Sequence, residues 1–312
     1  MSEHPRQEHT GRTGPEQPGV VVVGSANMDL VGFAERLPLP GETVLGDEFL
    51  MVPGGKGANQ AIAAARAGGR CAFLGALGSD AFGVTLKARL AASGVDTSQV
   101  RVSYGSSGVA VIMVDRRGEN SIIVAPGANS TFTDLTAAER AVIGGADVLV
   151  CQQEIPAATV TEAAVVARAA GTRVVLNAAP ARPLPPALLA AVDLLVVNEN
   201  EARALTGLPE PGPDALLALA PRVVLTLGAD GARYAERDGR DERIPAYRVA
   251  VADSTAAGDA FTGALAVAWG EGRDLVDAVR WAAAAGAACV RTVGASVSLP
   301  ERAEIDALYC GA

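Results

Sequence analysis

The chain has 312 residues, enough for one large α/β domain or two ordinary ones, and its 49% hydrophobic against 20% charged residues supply a sizeable core. A net charge of −9 argues against nucleic acid as a partner, so any phosphate must be held by local devices: N–H nests, helix ends and single cations. The only two histidines, His4 and His9, lie in the polar first stretch, and the four cysteines, Cys71, Cys151, Cys289 and Cys310, show no paired spacing, which excludes a zinc site and a histidine-based triad in the folded part.

Unpaired cysteines, three of them in apolar runs, fit a reducing cytosol and hence a cytoplasmic location. No run of about 18 apolar residues appears, so no membrane span is expected. Residues 1–18 are polar and lack an apolar h-region; they read as a disordered extension ahead of one domain over 19–312.

Order is expected to begin at Val20–Val23, an apolar run with the character of a buried parallel strand. It ends at Gly24-Ser-Ala-Asn27-Met28-Asp29, which sets Asn27 and Asp29 just beyond a strand's carboxyl end, where ligands bind in open α/β sheets, although a plain turn explains the same pair. Residues 31–52, broken by Pro38, Pro40, Gly41 and Gly46, read as short extended pieces. Pro53-Gly54-Gly55-Lys56-Gly57-Ala58-Asn59-Gln60 then leads into an alanine-rich helix, Ala61 to Ala67. The spacing is not that of a P-loop; two glycines would let a small polar ligand touch backbone, with Lys56 and Asn59 as donors.

Cys71–Leu74 reads as a second strand, and Gly78–Gly83 as a loop into a helix ending at Ala92. Gly108–Val114 and Ser121–Val124 flank the turn residues Asp115–Glu119 and predict an antiparallel hairpin. Together with 31–52, the segment 108–125 would form a small β-layer apart from the main sheet. From 133 onward strands at 148–151, 174–176, 194–197 and 223–226 alternate with helices at 134–142, 156–170, 199–205 and 213–219, the pattern of a doubly wound, mostly parallel sheet flanked by helices. Their ends carry Gln152-Gln153-Glu154, Asn177, Asn198-Glu199-Asn200-Glu201 and Thr226-Leu227-Gly228-Ala229-Asp230-Gly231. Several polar strand ends converging is the geometry of a site along one sheet edge.

The segment Asp253-Ser-Thr255-Ala256-Ala257-Gly258-Asp259-Ala-Phe-Thr-Gly263 opens an apolar helix through Trp269. Small residues at a helix N-terminus let N–H groups approach an anion, and Asp259 there is either a helix cap or a base facing that anion. A small-residue helix, Leu275 to Val290, and the loop Thr292–Ser298 follow.

Taken together, Gly24-Ser-Ala-Asn-Met-Asp29, Pro40-Gly-Glu-Thr43, Gly54-Gly-Lys-Gly-Ala-Asn-Gln60, Asn198-Glu-Asn-Glu201 and Asp253-Ser-Thr-Ala-Ala-Gly-Asp259 resemble the ribokinase branch of the phosphofructokinase-B sugar-kinase family, over about Val20 to Leu308. The resemblance implies ATP-dependent phosphorylation of the 5-hydroxyl of D-ribose on an α/β fold with a β-sheet lid. It implies that Asn27, Met28, Asp29, Gly55, Lys56, Gly57, Ala58, Asn59 and Glu154 line the sugar site. Asp259 would be the general base, and the N–H groups of Ala256, Ala257, Gly258 and Asp259 the anion hole. Asn198, the Thr226–Gly231 loop, Gly258 and Asp259 would contact the nucleotide, and Glu201 would organise Mg²⁺ through water. A monovalent cation, usually K⁺, would sit by Asp253, Thr255, Cys289, Thr292, Gly294 and Ser298, and the lid would pair two subunits into a homodimer. Two departures stand out: Ala283 replaces a residue often Asn or His near the adenine, and Ala178 follows Asn177 where proline is frequent. A 2-deoxyribose, fructose or nucleoside kinase, or a sugar sensor without catalysis, would share the scaffold. The 4% aromatic content argues against the nucleoside, and the intact Asp259 segment against the sensor.

Overall fold

A computed structural model describes residues 17–311, so the extension expected at 1–18 lies, apart from its last two residues, outside the described residues. Pro18 already belongs to the fold: it is buried, and its carbonyl accepts the Arg70 N–H at 2.9 Å.

The strands are β1 (Gly19–Val23), β2 (Asn27–Ala34), β3 (Gly46–Gly54), β4 (Arg70–Leu74), β5 (Ala76–Gly78), β6 (Arg101–Ser103), β7 (Gly108–Asp115), β8 (Asn120–Ala125), β9 (Val148–Cys151), β10 (Arg173–Asn177), β11 (Leu194–Asn198), β12 (Arg222–Thr226), β13 (Ala232–Glu236) and β14 (Asp241–Ile244). The α-helices are α1 (Lys56–Arg66), α2 (Ala81–Ala92), α3 (Ala137–Gly144), α4 (Ala157–Ala170), α5 (Pro186–Ala191), α6 (Glu199–Thr206), α7 (Pro213–Leu217), α8 (Ala257–Gly270), α9 (Leu275–Cys289) and α10 (Arg302–Cys310).

The main sheet has eight strands in the order β14-β13-β12-β11-β10-β9-β1-β4, parallel from β4 to β12 and closed by the antiparallel β13 and β14. Alternation along each strand assigns its side chains to two cores. Val20, Val22, Val148, Val150 and Val175 pack with α1, α8 and α9, whereas Val21, Val23, Leu149, Cys151 and Leu176 pack with α4 and α5. Helices on both faces explain why the strands are apolar throughout rather than alternating. The sheet is doubly wound as expected. From β1 the chain goes to β4 on one side and later to β9 on the other, so the strand order reverses beside β1, whose carboxyl end is Gly24.

A second sheet of four strands, β3-β2-β7-β8, forms the β-layer. Here the sequence reading is amended: Asn27–Asp29 do not form a turn but begin β2, pairing with Gly54–Val52 on one side and Gly108–Ala110 on the other. The lid is thus rooted in the site rather than attached beyond it. Tertiary pairing, not local pattern, makes this strand, because Asn and Asp are poor strand formers alone. The hairpin β13-β14, the helices α5 and α10 and the short β5-β6 pair are further elements that periodicity did not announce.

Candidate active site

Helix α8 starts in a strained way. Ala256, its N-cap, is the one non-glycine residue with positive φ (61°) among the described residues, a conformation costing about 1–3 kcal/mol that local structure must repay. The Ala257 N–H donates to the Ser254 carbonyl (3.3 Å) and Ala260 N–H to the Ala256 carbonyl (2.8 Å), while those of Ala256, Gly258 and Asp259 find no acceptor among the described residues. Of the four N–H groups expected in the anion hole, Ala257's is therefore already engaged. A Cβ built on Gly258 would meet nothing within 4 Å, so the mouth of the helix is open in front of these donors.

The Asp259 carboxylate is buried in the first turn of α8. Asn59 donates Nδ2–H to its Oδ2 at 3.0 Å and Gln60 donates Nε2–H to its Oδ1 at 2.8 Å, both from the first turns of α1. Burial raises its pKa above the usual carboxylate range, opposed by the Lys56 ammonium and by these two amide donors. An ionised form is thus held by one cation and two amides inside a setting that favours proton uptake.

Next to it, Gly54-Gly55-Lys56 turns from β3 into α1. Gly55 has φ 91°, and a Cβ there would lie 2.6 Å from the Asn27 N, so only glycine permits this approach of β3 to the start of β2. Met28 and Ala58 are buried beside them. Asn27 is also buried, and its Oδ1 accepts Nδ2–H of Asn129 at 2.7 Å; Asn129 in turn clasps Ala26, accepting its N–H at 3.0 Å. Glu154, beyond β9, accepts the Ser25 hydroxyl at 2.5 Å and the Lys56 N–H at 3.1 Å on one oxygen, and Gly57 N–H reaches Ser25 Oγ at 3.4 Å.

Four carboxylates act on one ammonium, that of Lys56. Burial, then repulsion from Glu154 and Asp259, pushes the Asp29 carboxyl up to about 7. For Lys56 burial works against the charge, but Asp259, Glu154, Glu201 and Asp29 together outweigh it and raise the pKa, so the ammonium stays charged.

At the end of β11, Asn198 and Glu201 form a reciprocal capping box at the start of α6: Glu201 N–H donates to Asn198 Oδ1, and Asn198 N–H to Glu201 Oε2, both at 2.8 Å. Burial raises the Glu201 pKa, and Lys56 and Asp259 both act on it, which places it in the field of the same site. Thr226 ends β12 with its hydroxyl donating to the Val197 carbonyl (3.3 Å), and Leu227–Gly231 closes tightly, Leu227 N–H reaching the Gly231 carbonyl at 2.8 Å. Gly228–Asp230 there is a single 3₁₀ turn.

Asp253 lies six residues before Asp259 in a different setting. Its Oδ1 accepts Thr255 N–H (2.8 Å) and Oγ1–H (2.6 Å), and its Oδ2 accepts Gly294 N–H (2.9 Å). Partial burial disfavours its charge, but these donors win and hold the carboxyl below its ordinary range. Cys289 Sγ lies 3.6 Å from the Thr255 carbonyl and 3.2 Å from Ser298 Oγ, and Thr292 N–H donates to the Cys289 carbonyl at 3.3 Å, so the residues expected around a monovalent cation form one clasp. Among the described residues no group of three or more His, Cys, Asp and Glu could hold a metal ion by side chains alone.

Four residues absent from the sequence-level site belong to it by contact: Ser25, Gln60, Asn129 and Gln152. Gln60 and Gln152 stood in quoted motifs, and their neighbours gave the only signal. Asn129 sits in a 3₁₀ turn about 100 residues from its partner, and no local pattern points to it. Ala283 is half-buried on α9.

This geometry is that of a phosphoryl-transfer site on a doubly wound fold. A family model described as pfkB family carbohydrate kinase matches residues 17–302, and the chain belongs to that family. It is similar to ribokinases: 39% identical over 295 residues to that of Haemophilus influenzae, covering 91% of this chain and 96% of the relative, and 40% over 294 residues to that of Bacillus subtilis, covering 93% and 98%. Among solved structures, Arabidopsis thaliana ribokinase complexed with ribose and ATP superimposes with a TM-score of 0.89 at 34% identity, covering 94% of this chain and 99% of that one.

Proposed function

We propose that this protein transfers the γ-phosphoryl group of ATP to the 5-hydroxyl of D-ribose, forming D-ribose 5-phosphate and ADP. The observation that carries the reading is Asp259: a buried carboxylate aimed by two amides at the open, N–H-lined end of α8. The hydroxyl oxygen forms the new bond to phosphorus, the bond from phosphorus to the bridging oxygen of ADP breaks, and Asp259 takes the hydroxyl proton. Asn27, Asp29, Lys56, Asn59 and Glu154 hold and orient the sugar, the main source of rate in such transfers. The unsatisfied N–H groups of Ala256, Gly258 and Asp259 and the dipole of α8 stabilise charge on the transferring group. The Thr226–Gly231 loop and Asn198 would contact the nucleotide, Asn198 through its side-chain Nδ2–H, because its Oδ1 and its backbone N–H are both engaged in the capping box.

Glu201 suits Mg²⁺ held through water, since one carboxylate oxygen remains outside the capping box. When bound, Mg²⁺ neutralises phosphate charge. The clasp around Asp253 presents one ionised carboxylate and carbonyl and hydroxyl oxygens, a hard donor set that suits K⁺. The lid leaves Phe49, Met51 and Ile123 between 59% and 66% exposed on one face, and a second copy of the lid would cover them, giving a homodimer. Four free cysteines suit a reducing compartment such as the cytoplasm.

The test is a panel of sugars with ATP, Mg²⁺ and K⁺, run beside Asp259→Asn. Ribose should be the best acceptor and the variant nearly inactive. Comparable rates on 2-deoxyribose or fructose would move the substrate assignment, and a variant that keeps its turnover would remove Asp259 as base. Light scattering over a concentration series checks the dimer.

A further inference from the structure

Behind Asp259, Gln60 leads into two further buried side-chain amides, Gln152 and Asn177, that no step above uses. Gln60, 0% exposed, donates Nε2–H both to Asp259 Oδ1 (2.8 Å) and to Asn177 Oδ1 (2.9 Å). Its Oε1 accepts Nε2–H of Gln152 at 2.6 Å, and Gln152 is likewise 0% exposed. Asn177, at the end of β10, donates Nδ2–H to the Val196 carbonyl at 3.2 Å. A backbone carbonyl only accepts, so Asn177 must turn its oxygen toward Gln60, and Gln60 must then turn its NH₂ toward Asn177 and Asp259. Gln152, donating Nε2–H to Gln60 Oε1, meets the oxygen that this choice leaves on the other side.

The room for this arrangement is built into the backbone. A Cβ at Gly24 would lie 2.0 Å from Gln152 Oε1, so the glycine that ends β1 leaves space for that side chain. Among the described residues Gln152 Oε1 itself has no hydrogen-bond partner, and neither does Asn59 Oδ1.

We infer that Gln152 and Asn177 are positioning residues that act through Gln60 to keep a donor, never an acceptor, against the Asp259 carboxylate. If Gln60 flipped, its carbonyl oxygen would face that carboxylate, turning the base away from the substrate hydroxyl and favouring its protonated form. Gln152 lies two hydrogen bonds from Asp259, so its effect on the reaction passes wholly through Gln60. The inference rests on Asp259 being the base.

The experiment measures kcat and KM against pH for Gln60→Met, Gln152→Met and the double variant, with Asp259→Asn alongside, on whichever sugar the full-length enzyme turns over best. Gln60→Met should lower kcat about tenfold to a hundredfold with KM for the sugar nearly unchanged, and should move the acid limb of the kcat profile up by about one pH unit. Gln152→Met should shift the limb in the same direction by less, and adding it to Gln60→Met should change nothing further. A Gln152→Met variant with the parental acid limb, or effects that multiply in the double variant, would overturn the relay while Asp259→Asn remains inactive. Activity surviving in Asp259→Asn would instead remove the base assignment itself. Should Gln152→Met not fold, as judged by circular dichroism, Asn177→Leu tests the other restraint on Gln60 with the same readout and the same criterion.

Discussion

Asp253 and Asp259 belong to one short segment and differ in almost every physical respect. Asp253 is met by three donors from Thr255 and Gly294 in a partly exposed clasp, which hold its carboxyl below its ordinary range. Asp259 is buried under α1 and its pKa is raised, with Lys56 and two amides as the counterweight. The first is a fixed charge, suited to a cation; the second is poised to accept a proton. Environment, not residue type, divides the two roles, as it does wherever paired carboxylates take different parts in a reaction. Asp29 stands between them: half-buried, it has neighbouring carboxylates rather than amides, and its carboxyl is pushed up to about 7.

Substituting each in turn should separate these roles. Asp259→Asn is expected to have the largest effect, a loss in kcat of about 10²–10⁴-fold with sugar and ATP affinity retained, read by steady-state kinetics and calorimetric binding. Asp29→Asn should act on the other side of the ratio, weakening sugar binding by about tenfold to a hundredfold, the equivalent of one charge-assisted hydrogen bond. It should also stabilise the ligand-free protein. A carboxyl whose folded pKa exceeds its unfolded value contributes stability that is complete below the unfolded value and lost as pH rises through the folded one, here between about pH 4 and 7. Thermal or urea unfolding at pH 8 should therefore favour Asp29→Asn by up to about 4 kcal/mol, the gap closing toward pH 4. If the gap does not depend on pH, the burial cost assigned to Asp29 is wrong.

Asp253→Asn should have the smallest effect on turnover, about tenfold or less, because the reacting atoms are untouched. The loss should equal that caused in the parent by replacing K⁺ with tetramethylammonium. The pH dependence of stability runs the opposite way from Asp29. A depressed carboxyl stabilises above its unfolded pKa and loses that as pH falls through the folded one, so Asp253→Asn should be less stable than the parent at pH 7 and equal to it in acid. Activity of Asp253→Asn that still responds fully to K⁺ would break the division drawn between the two aspartates.

How much of this was readable from residues alone depends on how far apart the partners lie. The central strands announced themselves as apolar runs because both faces of a parallel sheet are covered, and the helix after Gly258 because small residues precede a long apolar stretch. The glycines at 54 and 55 and the Asp259 segment carried the chemistry locally, since tight turns and N–H nests need particular residue types at fixed spacing. What only the tertiary structure decided is who faces whom. Asn27–Asp29 became the root of the lid because β3 and β7 arrived on either side; Gln60, Gln152 and Asn177 became one chain because α1, β9 and β10 end at the same point; Asn129 reached Asn27 from about 100 residues away. Within the Asp253–Gly263 segment, sequence placed two carboxylates at a helix entrance. Their opposite pKa shifts follow from burial and from donors contributed by α1 and the loop at Gly294, which are brought to the segment only when the chain folds.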